Sequence, residues 1–263
     1  GEEALNECMV NYGGFDHNLQ TLRIVMFIEN KYVKFKGLNL TLETLDGLLK
    51  HNGPYYDNTD IENLIGIKNL KNKINLETFP SIEAQIASIS DDIAYNNHDI
   101  QDGFNANLFN TDDLKEIFFF KDILKNYSRN YKQINKRILI YQMIRDSINL
   151  MVKDLVKNSL KNIKINKINK LNDVYESENK LICFSTKYEN IINEIRDFLS
   201  HKMYKNNKVI KKNNEGKKII KKLFKVISNK PKKFLTFLPI KHIKYRSIAD
   251  YISGMTDRFA INI

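Results

Sequence analysis

Helical periodicity constrains this chain more than any other feature: apolar side chains recur at three- and four-residue intervals, and period-two alternation is short everywhere. Any sheet is therefore minor. Only ten Gly and four Pro serve 263 residues, too few for a sandwich, a barrel or a turn-rich repeat, whose corners need positive or fixed φ. The expected fold class is all-α, with one domain over residues 1–263, since no linker or internal repeat divides the chain.

The pattern places helices in order. Leu19, Leu22, Ile24, Val25, Phe27 and Ile28 mark one over 18–32, with Gly37 as its stop. Thr41 caps a second that runs to about His51, where Asn52-Gly53-Pro54 ends it. Residues 55–79, rich in Asn and Asp, read as a loop. Pro80-Ser81 opens a helix to about Asp99, and Gly103 is expected to break it. Further helices are expected over 112–126, 133–161, 187–205, 215–229 and 246–260, with 162–180 as a loop or frayed end.

Charge is distributed unevenly. Residues 201–246 carry 16 Lys and Arg against one acid, Glu215, while the rest of the chain is slightly acidic. Such a block suits a nucleic-acid backbone or another anionic surface. Equally, it suits a solvated helix face, because Ile219, Ile220, Leu223, Phe224 and Ile227 follow helical spacing beneath the lysines. Cys8 and Cys183 are too few for a disulfide framework or a cysteine zinc site and read as small buried hydrophobes. No apolar run approaches the roughly 20 residues of a membrane span, and no leader pattern opens the chain, so the expected location is cytoplasmic.

The segment 81–99 carries the most chemistry. On a helical wheel Ile82, Ile86, Ile89 and Ile93 form one stripe and Asp91, Tyr95 and His98 another, bordered by Ala84, Ala87 and Ala94. Small alanines beside Asp, Tyr and His suggest a face packed around a polar cavity. Asp91, Tyr95 and Asp99, at i, i+4 and i+8, span roughly 12 Å. A carboxylate at one end suits a hard divalent cation, and a second can accept from a sugar hydroxyl that Tyr95 stacks on or bonds. Solvated carboxylates on a helix remain the plainer reading of the same spacing.

Five strings occur in order: GFDHNLQTLRI from Gly14, GLNLTLETL from Gly37, KHNGP from Lys50, DDIAYNNHD from Asp91 and DYISGMTDRFA from Asp250. Together they resemble the bacterial deoxyguanosine triphosphate triphosphohydrolase-like proteins of the HD-domain superfamily. The resemblance implies an HD-type helical phosphohydrolase fold that releases triphosphate from deoxynucleoside triphosphates, with Mg²⁺, Mn²⁺ or another transition metal as cofactor and a homo-oligomeric assembly. By the same resemblance Asp91 is a metal ligand, Tyr95 and Asp99 hold the deoxyribose, and His17 faces the phosphates with Gln20 one turn on. Glu2 matches an acidic residue that supports a catalytic His in a preceding stretch.

That family holds its metal through a His, a His-Asp pair and the later Asp, of which only the last has a match here. The expectation is thus an N-terminally truncated copy, inactive in this form. KHNGP has no role that its chemistry assigns. Two other readings stay open: HD chemistry on a different nucleotide, and a helical protein that binds nucleic acid through 201–246.

Overall fold

The computed structural model describes residues 1–55, 74–130, 135–235 and 244–263. Every regular element among them is helical. In chain order these are α1 Glu2–Met9, α2 His17–Arg23, α3 Leu42–Leu49, α4 Ile82–Asn105, α5 Thr111–Leu114, α6 Phe118–Asn130 and α7 Lys136–Ile165. They are followed by α8 Leu171–Tyr175, α9 Thr186–Leu199, α10 Asn207–Asn229, α11 Pro231–Phe234, α12 Lys244–Ser253 and α13 Asp257–Asn262. No described helix is long and apolar enough to cross a membrane. The all-α expectation holds for the described residues.

Several boundaries differ from the sequence pattern, each for a physical reason. The helix expected over 18–32 stops earlier: α2 passes into a single π turn, Ile24–Ile28, closed by the Glu29 amide donating to the Ile24 carbonyl at 2.9 Å. The helix from Ser81 runs through Gly103 instead of breaking there. Gly103 is a packing residue, since a Cβ on it would lie 2.3 Å from Cε1 of Phe109. The long helix α7 extends to Ile165, and α8 occupies part of the expected 162–180 loop. Thr256 interrupts the closing helix and caps α13 by accepting from the Phe259 amide. The loop expected over 55–79 lies largely outside the described residues.

The chain forms two compact units. One holds the described residues of 1–49, 55–76 and 210–263, and the other those of 50–54 and 77–209, so neither is a contiguous segment. In the first unit, Leu19 and Leu22 of α2 meet Leu45 and Leu49 of α3 in one apolar cluster. Leu5 and Met9 of α1 join Phe224 and Ile227 of α10 and Ile248 and Ile252 of α12 in another. Each set follows the three- and four-residue spacing that buries one stripe of a helix.

In the second unit α4 and α7 pack along each other, with Ile89, Ile93 and Ile100 against Met143, Ile144 and Met151. Gln85 fixes the start of α4. Buried to 2% exposure, its amide donates to the Pro80 carbonyl at 2.9 Å and accepts from the Leu181 and Ile182 amides at 3.0 and 3.2 Å. Ile86, expected on the apolar stripe, is instead 45% exposed.

Candidate functional site

The second unit presents Asp91, Tyr95 and Asp99 from one side of α4. Asp91 has 71% of its side chain exposed and Tyr95 is 59% exposed, so this face is open where the bordering alanines suggested packing. Asp99 is half-buried, and its Oδ2 accepts a hydrogen bond from the hydroxyl of Tyr204. Burial, then the bonds to Asp99 and Tyr95, push the Tyr204 phenol well above its ordinary range, so it stays a neutral donor. Tyr204, 105 residues beyond Asp99 in the chain, thus converges with Asp99 and Tyr95 on one patch of hydroxyl chemistry.

Tyr204 reaches Asp99 through a backbone irregularity. After Leu199, α9 passes into a π turn, Ser200–Tyr204, whose last bond runs from the Lys205 amide to the Ser200 carbonyl at 3.0 Å. One extra residue in a turn rotates the following side chains by about 100°. Such π turns recur at functional sites, and no periodicity in the sequence announces this one. Eight residues earlier on α9, Arg196 places Nη2 3.1 Å from Oδ1 of Asp92. Sequence reasoning missed both residues, because nothing local links them to α4.

His51, in the KHNGP turn, also faces this helix. Its Nε2 lies 3.7 Å from Oδ2 of Asp91, and Ser88 of α4 donates to its carbonyl at 2.7 Å. Gly53 closes the turn at φ +108°, a conformation that side chains rarely adopt, with its amide donating to the Lys50 carbonyl at 2.8 Å. The motif without an assigned role is therefore a turn tied to the Asp91 helix.

The first unit holds the other candidates. Oε1 of Glu2 accepts from the backbone amide of His17 at 2.9 Å and bonds its Nδ1 at 2.8 Å. A carboxylate only accepts, so Nδ1 is the donor in this bond. Within the described residues Glu2 holds His17. Gln20 lies on the same helix as His17. It is 4% exposed, and its amide donates to Oδ1 of Asp250 at 3.0 Å, which turns it into the packing of α2.

Asp250 simultaneously takes Nε and Nη2 of Arg23 at 3.1 and 2.7 Å. From the same helix, Arg246 donates to the Gly14 carbonyl at 2.8 Å. Burial and the nearby Arg23 lower its pKa. The Asp250 string thus anchors α2 and the turn before it, which positions His17.

Neither unit completes a metal centre from the described residues. Among the described residues His51 is the donor that faces Asp91, and two donors fall short of the three or more protein ligands that hold a catalytic metal. The donor atoms of Glu2, Asp16 and His17 do lie within 4.8 Å of one another. Asp16, however, caps α2 by accepting from the Leu19 amide, and Glu2 is bound to His17. The cysteines are half-buried rather than fully buried, with Sγ of Cys183 accepting from Asn162 at 3.2 Å.

A family model described as a phosphohydrolase-associated domain matches residues 182–263. A deoxyguanosinetriphosphate triphosphohydrolase-like protein of Pelagibacter ubique is 64% identical over 263 residues, covering 100% of this chain and 71% of its own. Proteins of the same name from Bartonella henselae and Rickettsia typhi are 38% and 37% identical over 99% of this chain, spanning 68% and 69% of theirs.

Proposed function

The chain belongs to the deoxyguanosinetriphosphate triphosphohydrolase-like family of phosphohydrolases, and from that premise we propose that its site takes a deoxynucleoside triphosphate and releases deoxynucleoside and inorganic triphosphate. The observation that carries this reading is the convergence of Tyr204, Tyr95 and Asp99. A carboxylate has room for about four donors, so Asp99 can hold the Tyr204 hydroxyl and still accept the sugar's 3′-hydroxyl. Tyr95, open to solvent, offers its ring to the deoxyribose. Arg196, half-exposed beside Asp92, supplies cationic charge for the phosphates.

In the other unit Glu2 orients His17, which we propose as a proton-transfer residue of the family's hydrolytic chemistry. Gln20 and Asp250 act on the reaction only by holding α2. Asp91 contributes one carboxylate to a divalent metal, Mg²⁺ or Mn²⁺ foremost; the other ligands would come from outside the described residues, and these 263 residues alone would then be inactive. The setting is the cytoplasm and the assembly a homo-oligomer.

A nucleotide lacking the 3′-hydroxyl tests the sugar contact. In the longest reading frame that contains these residues, Asp99→Ala should raise KM for dGTP at least tenfold and erase discrimination against 2′,3′-dideoxy-GTP, because one good hydrogen bond to a charge is about 1.5–3 kcal/mol. Discrimination unchanged in the variant would remove Asp99 from sugar recognition.

A further inference from the structure

The π turn that carries Tyr204 is gripped from two sides. On one, the Tyr204 hydroxyl donates to Asp99 of α4. Lys202 lies two residues earlier, about 200° away around the axis at 100° per residue, so it leaves the opposite flank. Its Nζ donates to Oδ1 of Asp113 at 2.9 Å and to Oε1 of Glu116 at 3.2 Å. Asp113 is itself fixed, because its other oxygen, Oδ2, accepts from the Asn110 amide at 2.8 Å and closes the cap of α5. That bond first, and Lys202 second, hold the Asp113 carboxyl below the usual carboxylate range, so it stays charged.

The packing behind the turn is firm. Nζ of Lys202 lies 6.0 Å from the centroid of the Phe198 ring, and that ring meets Phe109 edge-on with centroids 5.0 Å apart. π turns are rare in helices, so side chains must favour this one over ordinary α-helical bonding. His201 caps the Asp197 carbonyl through Nδ1 at 2.7 Å, a bond within the same helix. Lys202 and Tyr204, by contrast, reach out to other helices.

We infer that Lys202 is a positioning residue for the sugar site: anchored on Asp113, it sets the rotation of the π turn at which the Tyr204 hydroxyl meets Asp99. The inference rests on the reading of Asp99 as the sugar carboxylate given above, and Lys202 itself touches no substrate. An ion pair that is partly open to solvent adds little to global stability. Its effect is concentrated in one local angle, since a rotation by one residue would carry the Tyr204 hydroxyl out of hydrogen-bond reach of Asp99.

Two measurements test the positioning and the sugar reading separately. In the 263-residue chain labelled with ¹³C at the tyrosine Cζ, the Tyr204 signal is the one lost in Tyr204→Phe. Lys202→Met should move that signal and lower its ionisation midpoint toward the ordinary tyrosine value of about pH 10, and Lys202→Arg should leave both as in the parent. Kinetics with dGTP and 2′,3′-dideoxy-GTP use the longest reading frame that contains these residues. There Lys202→Met should raise KM for dGTP about three- to fivefold with kcat within about twofold, and weaken discrimination against the dideoxynucleotide. Lys202→Arg should restore both, and in a Tyr204→Phe background Lys202→Met should add nothing. Circular dichroism checks that the methionine variant keeps its helices; if it does not, Lys202→Gln replaces it. An unmoved Tyr204 signal, no rescue by arginine, or an equal rise in KM in the Tyr204→Phe background would each overturn the assignment. If Asp99→Ala itself leaves discrimination unchanged, the sugar reading falls, and the Tyr204 signal then decides whether Lys202 sets the turn.

Discussion

The bond from Tyr204 to Asp99 joins the π turn after α9 to α4, and removing one oxygen atom measures what it contributes. Tyr204→Phe keeps the ring and its packing and deletes only the donor. A hydrogen bond to a charged acceptor is worth about 1.5–3 kcal/mol when shielded. Tyr204 keeps 38% of its surface exposed, and solvent screening moves the figure to the low end, about 1.5 kcal/mol. In a chain of this size that corresponds to a fall in Tm of about 3–6 °C. Because the contact joins two named groups, the sharper quantity is the coupling in a cycle of Tyr204→Phe, Asp99→Ala and the double variant, followed by urea unfolding. The expected coupling is about 1.5 kcal/mol, and a value below about 0.5 kcal/mol would show that the bond does not hold the two helices together.

The pH dependence supplies an independent check. Burial and the bonds to Asp99 and Tyr95 raise the Tyr204 pKa in the folded protein, so the folded state binds that proton more tightly than the unfolded state does. The associated stability is complete below about pH 10, where an unfolded tyrosine ionises, and declines as pH rises above it. Tyr204→Phe should flatten that alkaline limb.

Two further substitutions probe the scaffold of α4. Gln85→Leu leaves the amides of Leu181 and Ile182 and the carbonyl of Pro80 without their buried partner. Thermal unfolding should fall by an amount equivalent to about 3 kcal/mol, and a loss under about 1 kcal/mol would mean that other groups satisfy them. Gly103→Ala gains up to about 1 kcal/mol of helix propensity but drives a Cβ to 2.3 Å from the Phe109 ring. Overpacking should win, with net destabilisation of about 1–3 kcal/mol by urea denaturation, whereas a stabilised variant would restore Gly103 as a mere propensity defect.

Much of this arrangement is legible along the chain, because helical spacing is a local property. The stripe of Ile89 and Ile93 and the placement of Asp91, Tyr95 and Asp99 on one side of α4 follow directly from residues three and four apart. What escapes is whatever depends on a partner distant in sequence. Gly103 looks like a breaker until Phe109 is packed on it, and nothing near Gln20 in the sequence announces that its amide donates to Asp250, 230 residues away. Tyr204, Arg196 and His51 come to α4 from two other segments, and a π turn changes the phase of one of them. The lysine block is visible as charge in the sequence, yet only the geometry shows that Lys217 and Lys221 are neutralised.

The central claim is that α4 carries the carboxylate of a nucleotide triphosphohydrolase site. The most direct measurement is the identity of the phosphate released from dGTP with Mg²⁺ or Mn²⁺ present, by ion chromatography. It is made on these 263 residues and on the longest reading frame that contains them, each with and without Asp91→Ala. The account predicts intact inorganic triphosphate from the longer protein, none from its Asp91→Ala variant despite unchanged helicity, and none from the 263 residues alone. Orthophosphate or pyrophosphate as the first product, or triphosphate release undiminished by Asp91→Ala, would contradict it.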